Sequence, residues 1–268
     1  MAAMNRRVWW GDFTAREFEG LDAEKTIAVL PIAATEQHGP HLPVSTDHAI
    51  MKGMLETVFP LLPADLDVRF LPIQCVGKSN EHVRVPGTLT IDATTLLAAW
   101  NQIGDSVARA GIRKLVFINS HGGNEELMGI VARDLRVRHD MLAVKTSWVR
   151  FGFPDGMYSD ENRAYGIHGD DYETSLMLHF APDTVKMDKA QNFASSTPRA
   201  QQTFTHLAPQ SPHAFAWIAG DINPDGVAGQ AHLATAEKGA ATAQHQASGF
   251  VELLADVQTA KLDEWLTG

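Results

Sequence analysis

Glu36, His38 and Asp47, with His41 and His48 beside them, crowd into the segment 35–48. They follow an apolar run, Ile27-Ala28-Val29-Leu30, that reads as a buried strand. On an extended segment Glu36 and His38, two residues apart, point to the same face. A carboxylate and an imidazole on one face make a divalent-metal ligand pattern. Gly39, Pro40 and Pro43 stiffen the loop so that Asp47 can return toward the first two. A carboxylate offers two oxygens and is therefore a natural bridge between two cations.

Two further groups have the same character. Asn119-Ser120-His121-Gly122-Gly123-Asn124 follows the apolar run Lys114-Leu115-Val116-Phe117-Ile118. His121 thus sits at another strand's carboxyl end, where ligands of open α/β sheets bind. Gly122 and Gly123 let the backbone approach a ligand and expose amides, and the helix start near Asn124 and Glu125 favours a developing anion. His168-Gly169-Asp170-Asp171-Tyr172-Glu173-Thr174-Ser175 opens a helical pattern in which Leu176, Met177 and Phe180 face a core. Its acids either cap that helix or aim Glu173 and His168 at the same pocket. Ser79, Asn80, Glu81 and His82 occupy a loop that is expected to line a substrate pocket, with Ser79 and His82 as binding residues. His41 and His48 are expected to act behind the ligands. Trp148, Phe215 and Trp217 are candidates to pack over a substrate, although large aromatics usually belong to a core. Cys75 reads as a small buried residue.

The elements that must carry these groups alternate. Short apolar runs at 26–33, 67–74, 114–119 and 141–148 read as strands covered on both faces. Helical patterns occupy 47–62, 92–110, 124–139 and 171–180, and an Ala-rich helix spans 232–265 with a possible interruption at Gly249. Asp92 is placed to cap the second helix and Gly111 to stop it. Alternation of strand and helix predicts a parallel α/β architecture in one domain, 1–268. Segment 181–231 is rich in Pro, Ser, Gln, Asn and Gly, and is expected to cover the site or meet another subunit.

Composition narrows the classes of function. Lys plus Arg is 22 and Asp plus Glu is 32, a net charge of −10 that disfavours a sequence-independent nucleic-acid binder. Cys75 is the lone cysteine, which excludes an intramolecular disulfide. No apolar run approaches the roughly 20 residues that span a bilayer, and the first residues lack the core of a signal peptide. A cytoplasmic protein with a small-molecule substrate is expected, with no nucleic-acid or membrane partner.

Thr35-Glu36-Gln37-His38-Gly39-Pro40-His41-Leu42-Pro43, with Asp47, resembles the signature of the creatininase family. His121-Gly122-Gly123-Asn124, Pro86-Gly87-Thr88, Glu173-Thr174-Ser175 and Ala236-Glu237-Lys238-Gly239 stand in that family's order, so the likeness runs from about residue 8 to 255. The resemblance implies a three-layer α/β/α sandwich with a mostly parallel sheet, two divalent metal ions (zinc, manganese or iron) and a homo-oligomer, often a hexamer. It implies that Glu36 and His121 hold one ion, His38 the other, and that Asp47 bridges them. Creatininase proper has His-Tyr-Glu where this chain has His121-Gly122-Gly123, and a glutamate where Ile167 precedes His168. Glu173 is the expected replacement ligand, as in the His-Gly-Gly-Asn branch, and His168 the expected acid/base residue, with the Gly122 and Gly123 amides facing the substrate. The implied activity is hydrolysis of a small cyclic or formyl amide by metal-activated water. Ring opening of a cyclic ketone or keto-cyclitol on the same site is an alternative, and a non-catalytic binding protein with a decayed site is another.

Overall fold

The computed structural model describes residues 6–267. Four parallel strands form its central sheet: β1 (Ile27–Ile32), β2 (Val68–Phe70), β3 (Lys114–Asn119) and β4 (Leu142–Ser147), in the order β2-β1-β3-β4. Every residue of β1 and β3 is buried, as their unbroken apolar runs require. Their side chains alternate between two cores. Ile27, Val29, Val116 and Ile118 point into one, with Met54, Leu55, Leu176 and Phe250. Ala28, Leu30, Ile32, Leu115 and Phe117 point into the other, with Trp100, Val131 and Leu135.

The helices divide accordingly. On the first face α1 (Thr46–Val58) packs against α5 (Asp171–Phe180) and α8 (Ala236–Thr259), while on the second α2 (Ala93–Arg109) packs against α3 (Glu125–His139). Asp92 caps α2 by accepting from the Thr95 amide, and Gly111 follows its end at a φ of 84°. The architecture is thus the three-layer α/β/α sandwich with a parallel sheet. Shorter helices complete the chain: α4 (Asp160–Tyr165), α6 (Thr197–Thr203), α7 (Ala219–Ile222) and α9 (Leu262–Trp265). No helix among the described residues is long and apolar enough to cross a membrane.

Three expectations need correction. The run 67–74 keeps strand geometry only through Phe70, because Pro72 has no N–H to donate; pairing resumes where the Gln74 amide donates to the Pro31 carbonyl. The final helix is shorter than 232–265: Thr235 caps its start, α8 ends at Thr259, and α9 is separate. Gly249 does not interrupt it. A Cβ there would lie 2.9 Å from the Phe151 ring, so the glycine admits a close-packed aromatic. Segment 181–231 also contributes more than a cover. It holds the antiparallel pair β5 (Asn192–Phe193) and β6 (Gly229–Gln230), and it buries Val227, Ala228 and Ala231.

Candidate metal centre

The chain leaves β1 toward β2 on one side and reaches β3 on the other, which makes the gap between the carboxyl ends of β1 and β3 the switch point of the sheet. Ligand sites of open α/β sheets form at such points. Glu36 and His38 follow β1, the Glu36 amide donates to the Val44 carbonyl at 2.9 Å, and this closed loop returns the chain to put Asp47 in the first turn of α1. His121 follows β3. Asn119 holds it from both sides, accepting from the His121 amide at 3.1 Å and donating to its carbonyl at 2.6 Å. Glu173 stands in the first turn of α5, where Asp170 accepts from its amide and the Gly169 amide donates to its carboxylate at 2.6 Å.

These five side chains meet. Asp47 reaches both imidazoles, with Oδ1 3.4 Å from His38 Nε2 and Oδ2 3.6 Å from His121 Nδ1. Glu36 Oε1 is 3.1 Å from His121 Nδ1, and Glu173 Oε2 is 3.6 Å from His38 Nε2. The outer atoms of the same groups are tied down. His38 Nδ1 lies 3.0 Å from the Glu36 carbonyl and His121 Nε2 2.8 Å from the Lys78 carbonyl. A carbonyl only accepts, so each of these nitrogens carries the proton and the inward nitrogen keeps its lone pair in the neutral ring. Ser79 Oγ donates to Glu36 Oε2 and leaves Oε1 facing the centre.

Glu36 Oε1, His38 Nε2 and Asp47 Oδ2 are buried with no hydrogen-bond partner. Left bare, such atoms are costly, on the order of 1–3 kcal/mol each, so their convergence calls for positive charge, from metal ions or from protons on the imidazoles. The donor set fits divalent metal ions: His38, Asp47 and Glu173 offer one cluster of ligand atoms, and Glu36, Glu81 and His121 another. Without cations the balance is struck by protons. Burial drives the His38 and His121 imidazoles toward neutrality, but Asp47 and Glu36 outweigh it and raise them to about 9 and about 10. Burial likewise pushes Glu173 up to about 8. Burial also pushes Glu36 upward, yet His121, His168 and His82 hold its carboxyl well below the usual range.

His168 reaches the same centre. Its Nε2 donates to the Gln37 carbonyl at 2.7 Å, which leaves Nδ1 3.6 Å from Glu36 Oε1. Burial and the neighbouring His38 push it well below its ordinary value, so it is neutral at neutral pH rather than poised to titrate there. Its ring lies between those of His38 and His82, at centroid distances of 4.0 and 4.4 Å.

Ser79 and His82 are the residues expected to meet substrate. Ser79 is fully buried on Glu36, and His82 accepts at Nδ1 from Gln37 Nε2 at 2.7 Å. Neither lines the large cavity beside the centre. Burial of both follows from their loop folding under Glu36, a long-range contact that local patterning cannot reveal. At Gly123 the missing side chain has a packing reason. A Cβ there would lie 2.4 Å from both Glu81 Oε1 and the Lys78 carbonyl and 2.6 Å from His121 Nε2. Its bareness therefore lets those groups pack around His121. Glu81, read as a loop residue facing substrate, instead places Oε1 3.5 Å from His121 Nε2. His41 meets Thr174 Oγ1 at 3.0 Å, and His48 meets Cys75 Sγ at 3.2 Å. Cys75 is only partly buried.

A cavity of about 530 Å³ opens beside the centre, bordered by His121, Gly122 and Glu173. Trp148 is in its wall but buried, and Phe153, Tyr158 and Tyr172 form a cluster of edge-to-face rings there. Trp217 lies elsewhere, beside His82 and His168.

Residues 11–254 match the family profile described as creatininase, creatinine amidohydrolase. A mycofactocin precursor peptide peptidase of Mycolicibacterium smegmatis is 33% identical over 67% of this chain; the match spans 66% of the relative's own length. A Pseudomonas putida creatinine amidohydrolase is 30% identical over 72% of this chain and 80% of its own. A 3-dehydro-scyllo-inosose hydrolase of Thermotoga maritima is 23% identical over 86% and 77%. Among solved structures, a creatininase variant complexed with creatine superposes with a TM-score of 0.73 at 25% identity, covering 95% of this chain and 100% of that one. A manganese creatininase gives 0.71 at 24% identity, over 95% of this chain and 100% of its own. The profile covers nearly all of the sequence and the superposition agrees with it: the chain belongs to the creatininase family.

Proposed function

We propose that this protein is a metal-dependent hydrolase of a small amide, cyclic or formyl, working at the centre between β1 and β3. The observation that carries the reading is the convergence of Glu36 Oε1, His38 Nε2 and Asp47 Oδ2, all buried and all without a hydrogen-bond partner. Glu36 and His121 would hold one ion, His38 and Glu173 the other, with Asp47 shared between them. A pair of divalent cations so held lowers the pKa of water and polarises a carbonyl.

The chain's own residues supply the rest. The Lys78 and Glu36 carbonyls orient His121 and His38, and Ser79 turns Glu36. His168, kept neutral with Nδ1 facing the centre, accepts a proton from the attacking water and returns it to the leaving nitrogen. Backbone at Gly122 borders the cavity, where an amide can meet the developing oxyanion. Two relatives support C–N cleavage by name, an amidohydrolase and a peptidase. The inosose hydrolase supports a second reading, ring opening of a cyclic ketone, in which the proton passes to carbon.

The test is a screen of lactams, formamides and keto-cyclitols with purified protein, paired with elemental analysis. Amine release by protein carrying about two ions per chain is expected, and loss of both ions and turnover in His121→Ala. Ring opening without amine moves the assignment to the ketone reading. Full activity in metal-free His121→Ala sinks both.

A further inference from the structure

The proposed hydrolase reading leaves open what part of a substrate lies away from the scissile bond, and the cavity wall addresses that. Its volume, about 530 Å³, falls within the roughly 300–1,000 Å³ of pockets that take drug-sized ligands, far more than a bare five-membered lactam fills. One wall is aromatic: Phe153 stands 5.1 Å from both Tyr158 and Tyr172, centroid to centroid. The two hydroxyls are occupied elsewhere, Tyr158 Oη with Thr242 Oγ1 at 2.8 Å and Tyr172 Oη donating to Gln246 Oε1 at 3.1 Å. The rings thus offer apolar surface rather than polar tips.

The charged groups lining the cavity are three carboxylates, Glu125, Asp170 and Glu173, and two guanidinium groups, Arg150 and Arg163; the carboxylates are engaged by the protein and the guanidinium groups are poorly matched. Arg163 lines the cavity and makes no ion pair among the described residues. Arg150 lines it too, and its carboxylate neighbour, Glu125, is 4.0 Å away and already held by Lys145 at 3.2 Å. Asp170 is fixed inside the wall, accepting from Asn162 Nδ2 at 2.9 Å and from the Glu173 amide at 3.0 Å. The mounts are firm: α4, which carries Arg163, is capped by Ser159 and pinned through buried Asn162. In a chain of net charge −10, two weakly compensated guanidinium groups beside one cavity are notable because they oppose the overall field. Arg150 and Gly122 also border a second, more open space of about 670 Å³ lined by Gln201, Gln210 and Ser211, so the cleft continues past the arginines.

We propose that the cavity selects an amide bearing an apolar, planar body and an anionic group, a carboxylate in the simplest case, with the body on the Phe153–Tyr158–Tyr172 wall and the anion at Arg150 and Arg163. Guanidinium presents a planar fork of donors that matches a carboxylate. The proposal rests on the hydrolase reading for the position of the scissile bond, but charge selection is measurable without turnover.

The probes are N-benzoylglycine and its neutral methyl ester, titrated by calorimetry into wild type and Arg150→Gln/Arg163→Gln, each in metal-free and zinc-loaded form. The acid is expected to bind wild type at least tenfold more tightly than the ester in both forms. That preference should vanish in the double variant and weaken as salt rises. Equal affinities, no binding of either probe, or a preference that survives the double substitution overturns the proposal. Metal content is read separately. Wild type that takes up no zinc yet prefers the acid keeps the anion site and defeats the hydrolase reading; wild type that loads zinc without the preference does the reverse.

Discussion

Loading metal-free protein with zinc should expel protons, and the number follows from the geometry of the centre. At pH 7 the His38 imidazole, raised to about 9, and the His121 imidazole, raised to about 10, both carry protons on the way to their carboxylate neighbours. Cation binding needs the lone pairs of His38 Nε2 and His121 Nδ1, so about two protons must leave per chain. Glu173, raised to about 8, adds up to one more. The product of the two zinc dissociation constants should therefore fall roughly 100- to 1,000-fold per pH unit between pH 6 and 7.5. Calorimetric titration in buffers of different ionisation enthalpy counts the released protons directly. The same shifts act on stability. Both imidazoles have folded values above the unfolded 6.5, so their contribution is complete below pH 6.5 and is lost as pH rises through 9 to 10. For His38 alone this amounts to on the order of 3 kcal/mol. The melting temperature of chelated protein should fall across that window while that of zinc-loaded protein does not. Zinc binding that releases no protons, with an affinity flat from pH 6 to 7.5, would mean that His38 and His121 are already neutral in the metal-free centre.

Other outcomes are expected at the surrounding residues. Glu81→Gln should lower zinc affinity roughly 10- to 100-fold with little change in melting temperature, because Glu81 shares a cluster of potential ligand atoms with Glu36 and His121 and places a carboxylate 3.5 Å from His121 Nε2; equilibrium dialysis reads this. Gly123→Ala should cost about 1–3 kcal/mol in denaturant unfolding, since its Cβ would overlap Glu81 and the Lys78 carbonyl. His168→Ala should keep its metal by elemental analysis and lose roughly 10²- to 10⁴-fold in turnover of whichever amide the screen identifies.

Legibility in the sequence followed the range of the interactions involved. Apolar runs gave β1 and β3 nearly to the residue, because strands buried on both faces leave no polar positions to confuse the pattern. The edge was harder: β2 is cut short by Pro72 and flanked by a pairing of Trp9 with Phe70 that no local signal announces. Glu36, His38, Asp47, His121 and Glu173 were recognisable because each follows a strand or opens a helix, and the structure brings all five together. The groups that aim them were not. Ser79 lies 43 residues from Glu36 in sequence, and Lys78 reaches His121 across the same separation through a backbone carbonyl, which has no residue signature. Gly123 is ambiguous for a related reason: a missing side chain reads the same whether it admits a substrate or a neighbouring carboxylate.

The fold should hold without an occupant in this centre. Metal-nucleated domains are small and unfold on chelation because they lack a core. Here two separate hydrophobic clusters sandwich the sheet, one built on Ile27, Val29, Val116 and Ile118 and the other on Leu30, Phe117 and Trp100. The clustered carboxylates lie at the strand ends, outside both. Their mutual repulsion is balanced in the metal-free chain by protons on His38 and His121, which pair with Asp47 and Glu36. Metal entry would thus be an exchange of protons for cations within a preformed cage rather than the closing event of folding. Chelated protein at neutral pH should accordingly keep its far-ultraviolet circular dichroism and a cooperative melt, shifted downward, and should regain its ions without a refolding step. A chain that unfolds on chelation at pH 7 would mean that the proton-for-cation balance at Asp47 and Glu36 is far weaker than their distances to the two imidazoles indicate.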